Sequence, residues 1–163
     1  MVNMAIIDVV QFEIGGTMYA LDIQLAREIV EMIPITPIPR APPHIAGIIN
    51  LRGEITNILN LNYLMGLQMK DNKENQKIIV LVPEAAGGSN VGMIVDDVRS
   101  VLQISDDNID QMDASMSKET YVKGIIKLGN NESEKKDLVI WIDIAKILSD
   151  TLGTGSSGVN SPG

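Results

Sequence analysis

Tyr19-Ala20-Leu21-Asp22-Ile23-Gln24-Leu25-Ala26-Arg27-Glu28-Ile29-Val30 and Val91-Gly92-Met93-Ile94-Val95-Asp96-Asp97-Val98-Arg99-Ser100-Val101-Leu102 align without a gap in apolar pattern, with Arg27 opposite Arg99. Self-similarity of this kind constrains architecture more than any single strand, because each copy has to bury its apolar residues in the same way. Further along, Gly47-Ile48-Ile49-Asn50-Leu51 matches Gly124-Ile125-Ile126-Lys127-Leu128, and Ile58-Leu59-Asn60-Leu61 matches Trp141-Ile142-Asp143-Ile144, in the same order. In both copies the last apolar run ends at a good helix cap, Asn60 or Asp143. Apolar residues at helical spacing follow: Leu61, Leu64 and Met65 in one copy, Ile144, Ile147 and Leu148 in the other. The chain therefore reads as two similar β-subdomains, each closed by a short helix.

Outward from the repeat, the apolar runs are short, rich in Ile, Val and Leu, and broken by Gly, Pro or Asn, which is the pattern of many short strands. Strands are expected over 6–14, 17–21, 29–32, 48–51, 55–59, 77–82, 91–95, 101–104, 124–127 and 138–142. So many short strands imply an all-β barrel or sandwich. Pro34, Pro37, Pro39, Pro42 and Pro43 exclude both a helix interior and a central strand from 34–43, which is expected to be an ordered loop. The polar stretch 69–76 is the expected seam within the folded part, 130–137 an expected solvated hairpin loop, and the Gly/Ser-rich 152–163 an expected disordered tail, leaving 1–151 as the domain. Half of such a domain is near the size at which a core becomes marginal, so the two units should share an apolar interface, and the groove between them is a natural binding site.

Composition narrows the function. Thirteen Lys and Arg against twenty-one Asp and Glu give a net charge of -8, which repels phosphate backbones and anionic membrane surfaces, and the five aromatic residues (one Trp, three Tyr, one Phe) are too few for base-stacking platforms. Nucleic acid is not an expected partner. With no cysteine and one histidine, His44, the chain lacks thiolate chemistry and multi-histidine metal sites, so neither a cofactor nor a metal is expected. The absence of disulfide-forming residues fits a reducing, cytoplasmic setting. No secretory leader or membrane-spanning run is visible, and no direct membrane insertion is expected.

The acidic 106–111 stretch lacks the glycine of a calcium loop and has Ser117 where the bidentate Glu belongs, so it reads as a solvated loop or helix start. Gly15-Gly16 and Gly87-Gly88 fit no phosphate-binding fingerprint and read as hairpin turns. His44 has no local catalytic partner, Trp141 reads as core, and the sequon at Asn131 reads as chance. Ile48-Ile49-Asn50-Leu51-Arg52-Gly53-Glu54-Ile55 stands apart, because Gly53 supports a tight turn that presents a guanidinium beside apolar and amide groups. That arrangement suits recognition of a protein surface, although a plain surface arginine fits the pattern as well.

Taken together, Tyr19-Ala20-Leu21-Asp22-Ile23, Arg27-Glu28-Ile29, the proline-rich loop, Ala46-Gly47-Ile48-Ile49-Asn50-Leu51-Arg52-Gly53 and Val91-Gly92-Met93-Ile94-Val95-Asp96-Asp97-Val98 closely resemble the CheW chemotaxis coupling proteins, in order, from about 10 to 148. The resemblance implies an all-β fold of two SH3-like five-stranded β-barrel subdomains sharing a hydrophobic core, no catalysis and no cofactor. It implies two partners: the helical-hairpin cytoplasmic tip of chemoreceptors and the regulatory domain of the histidine kinase CheA, bridged in arrays at the membrane. Carried over by motif position, the receptor-facing groove comprises Ala26, Glu28, Ile29, Gly47, Asn50, Arg52, Gly53, Asp96 and Val98. Recognition there is expected to be helix-in-groove, with Arg52 and Glu28 fixing orientation at the rim. The resemblance assigns no kinase-binding residues individually. Ala26 replaces a larger branched residue common in the family, and Asp97 adds a charge where a small residue is usual. Two other readings stand beside this one: the regulatory domain of a larger CheA-type kinase, and a small-molecule-binding barrel.

Overall fold

The computed structural model describes residues 6–67, 74–110, 121–128 and 137–152. Strands β1 (Ile6–Ile14) and β2 (Thr17–Asp22) form an antiparallel hairpin closed by Gly15 and Gly16. Both glycines have positive φ, +61° and +87°, the geometry whose twist matches that of the flanking strands. A 3-10 turn over Ile23–Leu25 then carries the chain out of this sheet. Five strands follow: β3 (Ala26–Glu31), β4 (Ile45–Leu51), β5 (Glu54–Leu59), β6 (Lys77–Leu81) and β7 (Val91–Val95), forming a sheet ordered β3-β6-β7-β5-β4. After Asp96 the chain returns to the first sheet as β8 (Asp97–Ser105), β9 (Ile109–Asp110), β10 (Val122–Leu128) and β11 (Asp137–Ile142), completing six strands ordered β8-β1-β2-β11-β10-β9.

The internal repeat is realised as an exchange. Hairpins β1-β2 and β6-β7 are equivalent, with Val10 opposite Leu21 in one and Ile79 opposite Met93 in the other. Each is followed by a strand that crosses to the other sheet, β3 onto β6 and β8 onto β1. A second hairpin completes each sheet by running one strand parallel to the first, β5 along β7 and β11 along β2. The aligned segments 19–30 and 91–102 are thus the two places where the chain changes sheets. By contrast, the segment 69–76, of which 69–73 lie outside the described residues, falls between strands of one sheet.

Period-two alternation sends one face of each sheet into a shared core and the other into its own core. Phe12, Ile14, Tyr19 and Leu21 of the first sheet meet Ile79, Leu81, Met93 and Val95 of the second in one cluster. The intervening Val9, Ala20, Val139 and Trp141 form a separate cluster in the first sheet, and Ile58, Ile78, Val80 and Ile94 do so in the second. Phe12 and Tyr19 stack with centroids 6.0 Å apart, and burial pushes the Tyr19 hydroxyl pKa up, opposed by a hydrogen bond with Thr17. The closing helices are α1 (Leu61–Leu64) and α2 (Ile144–Leu152). Leu61, Ile144, Ile147 and Leu148 all enter the shared core. Asp143 caps α2, its Oδ1 accepting from the Lys146 amide at 3.1 Å.

Several expectations are corrected. Asn60 occupies the N-cap of α1 but makes no side-chain cap hydrogen bond; its side-chain amide donates to the Pro43 carbonyl at 3.0 Å and ties down the proline-rich loop instead. β3 starts at Ala26 and β8 at Asp97, ahead of the expected 29 and 101, because edge strands tolerate charged residues that interrupt apolar alternation. The acidic stretch holds a 3-10 turn, Asp106–Asn108, leading into β9, an eleventh strand that makes this sheet six-stranded. Gly87 and Gly88, with φ of +65° and +94°, lie in the connection of the β6-β7 hairpin as expected, at the end of a 3-10 turn over Pro83–Ala86. The expected tail and the loop around Asn131 fall almost wholly outside the described residues.

Candidate functional site

The β4-β5 turn is built around two residues of positive φ, Arg52 at +52° and Gly53 at +88°. A non-glycine residue is uncommon there, and a short polar side chain stabilises the turn: the Asn50 Oδ1 accepts from the Gly53 amide at 2.8 Å. The turn reaches the opposite edge of its own sheet. The Arg52 guanidinium donates to the Glu28 carboxylate on β3, and Arg27 lies 3.8 Å from Glu54 at the start of β5. Two ion pairs thus clasp the two margins of the five-stranded sheet. The hydrogen bond to Glu28, followed by the attraction of its charge, raises the Arg52 pKa above its ordinary value. Arg52 keeps 61% of its side chain in solvent, so the clasp still displays a cation.

Arg27 and Arg99, opposite each other in the repeat, occupy equivalent β-bulges, where the register slips between Ala26 and Glu28 on β3 and opposite Gln11 and Phe12 on β1. A bulge re-aims the extra side chain, here toward a carboxylate in each case. Arg99 donates to the buried Glu13 at 2.7 Å, and that hydrogen bond raises the Arg99 pKa. Beside this pair, Asp96 is only 4% exposed, and its Oδ2 accepts from the Gly15 amide at 2.7 Å. The Asp96 amide donates to the Glu13 carbonyl. Asp96 therefore locks the β1-β2 turn to the second crossover.

Of the nine residues named from sequence, the structure brings Glu28, Asn50, Arg52 and Gly53 into one clasp at the sheet margin. Ile29 lies outward on β3, 41% exposed. Ala26 and Val98, equivalent in the repeat, are half-buried against the shared core. Gly47 and Asp96 are buried and act beneath the surface. A Cβ at Gly47 would stand 2.2 Å from the Thr36 carbonyl oxygen, because the proline-rich loop passes there as a strap, Thr36 and Ile48 exchanging two backbone hydrogen bonds of 2.9 Å.

Sequence reasoning missed Arg27 and Glu54, the second half of the clasp, and three exposed apolar residues. Val101, 54% exposed, is the repeat equivalent of Ile29, pairing with Val10 as Ile29 pairs with Ile79. Leu138 is likewise equivalent to Ile55, the two being 52% and 56% exposed. The repeat alignment carried this signal, since a pattern shared in the core extends to what each sheet leaves outside.

The CheW-like domain family matches residues 8–152, and the chain belongs to it. It is 29% identical over 143 residues to the chemotaxis protein CheW of Thermotoga maritima, covering 88% of each chain. With the chemotaxis protein CheW of Klebsiella aerogenes it shares 32% identity over 141 residues, 85% of this chain and 79% of that one. The crystal structure of the scaffolding protein TtCheW from Thermoanaerobacter tengcongensis superimposes with a TM-score of 0.68 at 29% identity, covering 85% of this chain and 84% of the other. Among the described residues no helix is long and apolar enough to cross a membrane.

Proposed function

We propose that this chain is a non-catalytic adaptor that couples chemoreceptors to the histidine kinase CheA, recruited to receptor arrays at the membrane from the cytoplasm. The family assignment supports a chemotaxis scaffold, and the relatives of which the chain covers 88% and 84% are named a chemotaxis protein CheW and a scaffolding protein, which favours this reading over a kinase domain. The observation that carries the receptor site is the clasp, which holds the exposed Arg52 against Glu28 of β3, the strand that also bears the exposed Ile29. A helical hairpin would lay apolar side chains across Ile29, Ala26 and Val98 and meet Arg52 and Glu28 at the rim through polar contacts. Asn50 and Gly53 shape the turn, Gly47 seats the strap behind it, and Asp96 orders the crossover that bears Val98.

Arg52→Glu tests the site. The turn is exposed, so circular dichroism and the urea midpoint are expected to change little, while affinity for a receptor-tip fragment falls by about tenfold or more, the scale of a lost rim charge replaced by a repelling one. Undiminished receptor binding by the folded variant would falsify the assignment.

A further inference from the structure

The internal repeat breaks at one connection, and a cleft opens there. Between β1 and β2 the chain turns on Gly15 and Gly16 alone, whereas the equivalent strands β6 and β7 are joined by 82–90, far more chain than a hairpin needs. The added segment packs on α2 and leaves a cleft of about 710 Å³ between itself, β5 and that helix. Since α2 follows β11 of the first sheet and β5 belongs to the second, the cleft lies where the two repeats meet. Such junctions are common sites for small molecules, whose pockets measure about 300–1,000 Å³.

The walls are preformed. The Val82 amide donates to the Leu25 carbonyl at 2.9 Å, the Gly88 amide to the Pro83 carbonyl at 2.8 Å and the Asn57 amide to the Asn90 carbonyl at 2.9 Å, so the added segment is tied at both ends and across its middle. A ligand would therefore order little chain on binding. Leu59 and Leu148 give the cleft an apolar floor, and Ala86 and Ala145 are too small to fill it. Glu84 is its one charged lining residue, exposed and with no ion-pair partner among the described residues. No lysine or arginine lines the cleft to neutralise that carboxylate, and the net charge of -8 adds a general attraction for cations.

We propose that this cleft binds a small organic cation, an amine whose apolar body lies over Leu59 and Leu148 and whose ammonium donates to the Glu84 carboxylate. A charge-assisted hydrogen bond at the mouth of an apolar floor selects for both halves of such a molecule. None of the nine residues proposed to face the receptor lines the cleft, so the site stands or falls apart from the adaptor reading.

Titration of the isotope-labelled full chain with 2-phenylethylamine at neutral pH, followed through its amide resonances, tests this. Saturable shifts are expected at 84–89 and 145–149, with a midpoint of about 1 mM or below. Glu84→Gln should weaken binding about tenfold, and 2-phenylethanol, which keeps the apolar body and loses the charge, should bind the wild type about tenfold more weakly than the amine. Methylammonium, the charge without the body, should give no saturable shift. Ala145→Phe, at an exposed position of α2, should fill the cleft and abolish binding with circular dichroism unchanged. No saturation by about 10 mM, equal affinity for amine and alcohol, undiminished binding by Glu84→Gln or by Ala145→Phe, or shifts that methylammonium reproduces in full would each overturn the proposal, the last by showing only cations gathered at an acidic surface.

Discussion

Replacing Gly47 with alanine is expected to destabilise the protein by breaking the seat of the proline-rich strap. The new methyl carbon would lie 2.2 Å from the Thr36 carbonyl oxygen and 2.7 Å from Ile35 Cγ2, and the first of these is backbone that cannot rotate away. Gly47 also has φ +146°, a region closed to alanine at a cost of about 1–3 kcal/mol. Relief of the clash requires the strap to lift, which gives up the two Thr36–Ile48 hydrogen bonds, each worth about 0.5–1.5 kcal/mol. Strain and lost bonds together come to about 2–6 kcal/mol, much of the margin of a small domain. Urea unfolding followed through the single tryptophan, Trp141, reads this as a lower midpoint. Gly53→Ala is the control, since its φ of +88° carries strain but nothing lies within 4 Å of the added atom. Faster hydrogen exchange at the Thr36 and Ile48 amides should accompany the loss. A Gly47→Ala midpoint equal to that of Gly53→Ala would mean that the clash with the strap contributes nothing.

Other expectations follow from the same contacts. Asp96→Ala strands the Gly15 amide and should cost about 1.5–3 kcal/mol in urea unfolding, the range for a hydrogen bond to a charged group. A double-mutant cycle on Arg52 and Glu28 in urea unfolding should return little coupling, since Arg52 is largely solvated, so the clasp orients the turn without holding the fold together. The hydrogen bond from the Tyr121 hydroxyl to Asp150, then burial, raises the Tyr121 pKa above 10.0. The folded state thus holds this proton more tightly than the unfolded one, so its contribution is full below pH 10.0 and is lost as pH rises through the folded value; Tyr121→Phe should flatten the alkaline fall in stability.

The sequence showed most clearly those elements whose shape is decided locally. β1 and β7 have the expected limits because glycine turns and apolar alternation bound them. The two-fold repeat was visible too, but not its exchange of strands, since a strand that crosses to the other sheet keeps the same apolar pattern as one that stays. β3 and β8 were read short because each opens at a crossover with a bulged arginine, where alternation fails. In the site, the Arg52-Gly53 turn followed from Gly53, whereas the pairing of Arg52 with Glu28, 24 residues away, depends on how the sheet curls its margins together. Gly47 and Asp96 matched the family motif without disclosing that one seats a strap and the other locks a hairpin, because both roles are tertiary contacts.

An adaptor that bridges two partners has to hold both at once. Analytical ultracentrifugation of the full chain with a chemoreceptor signalling-tip fragment and a CheA regulatory domain should show a ternary species absent from every pairwise mixture that lacks the chain, and Arg52→Glu should release the receptor fragment while leaving the kinase domain bound. Binding of neither partner by the folded chain, or binding of each only to the exclusion of the other, would contradict the account.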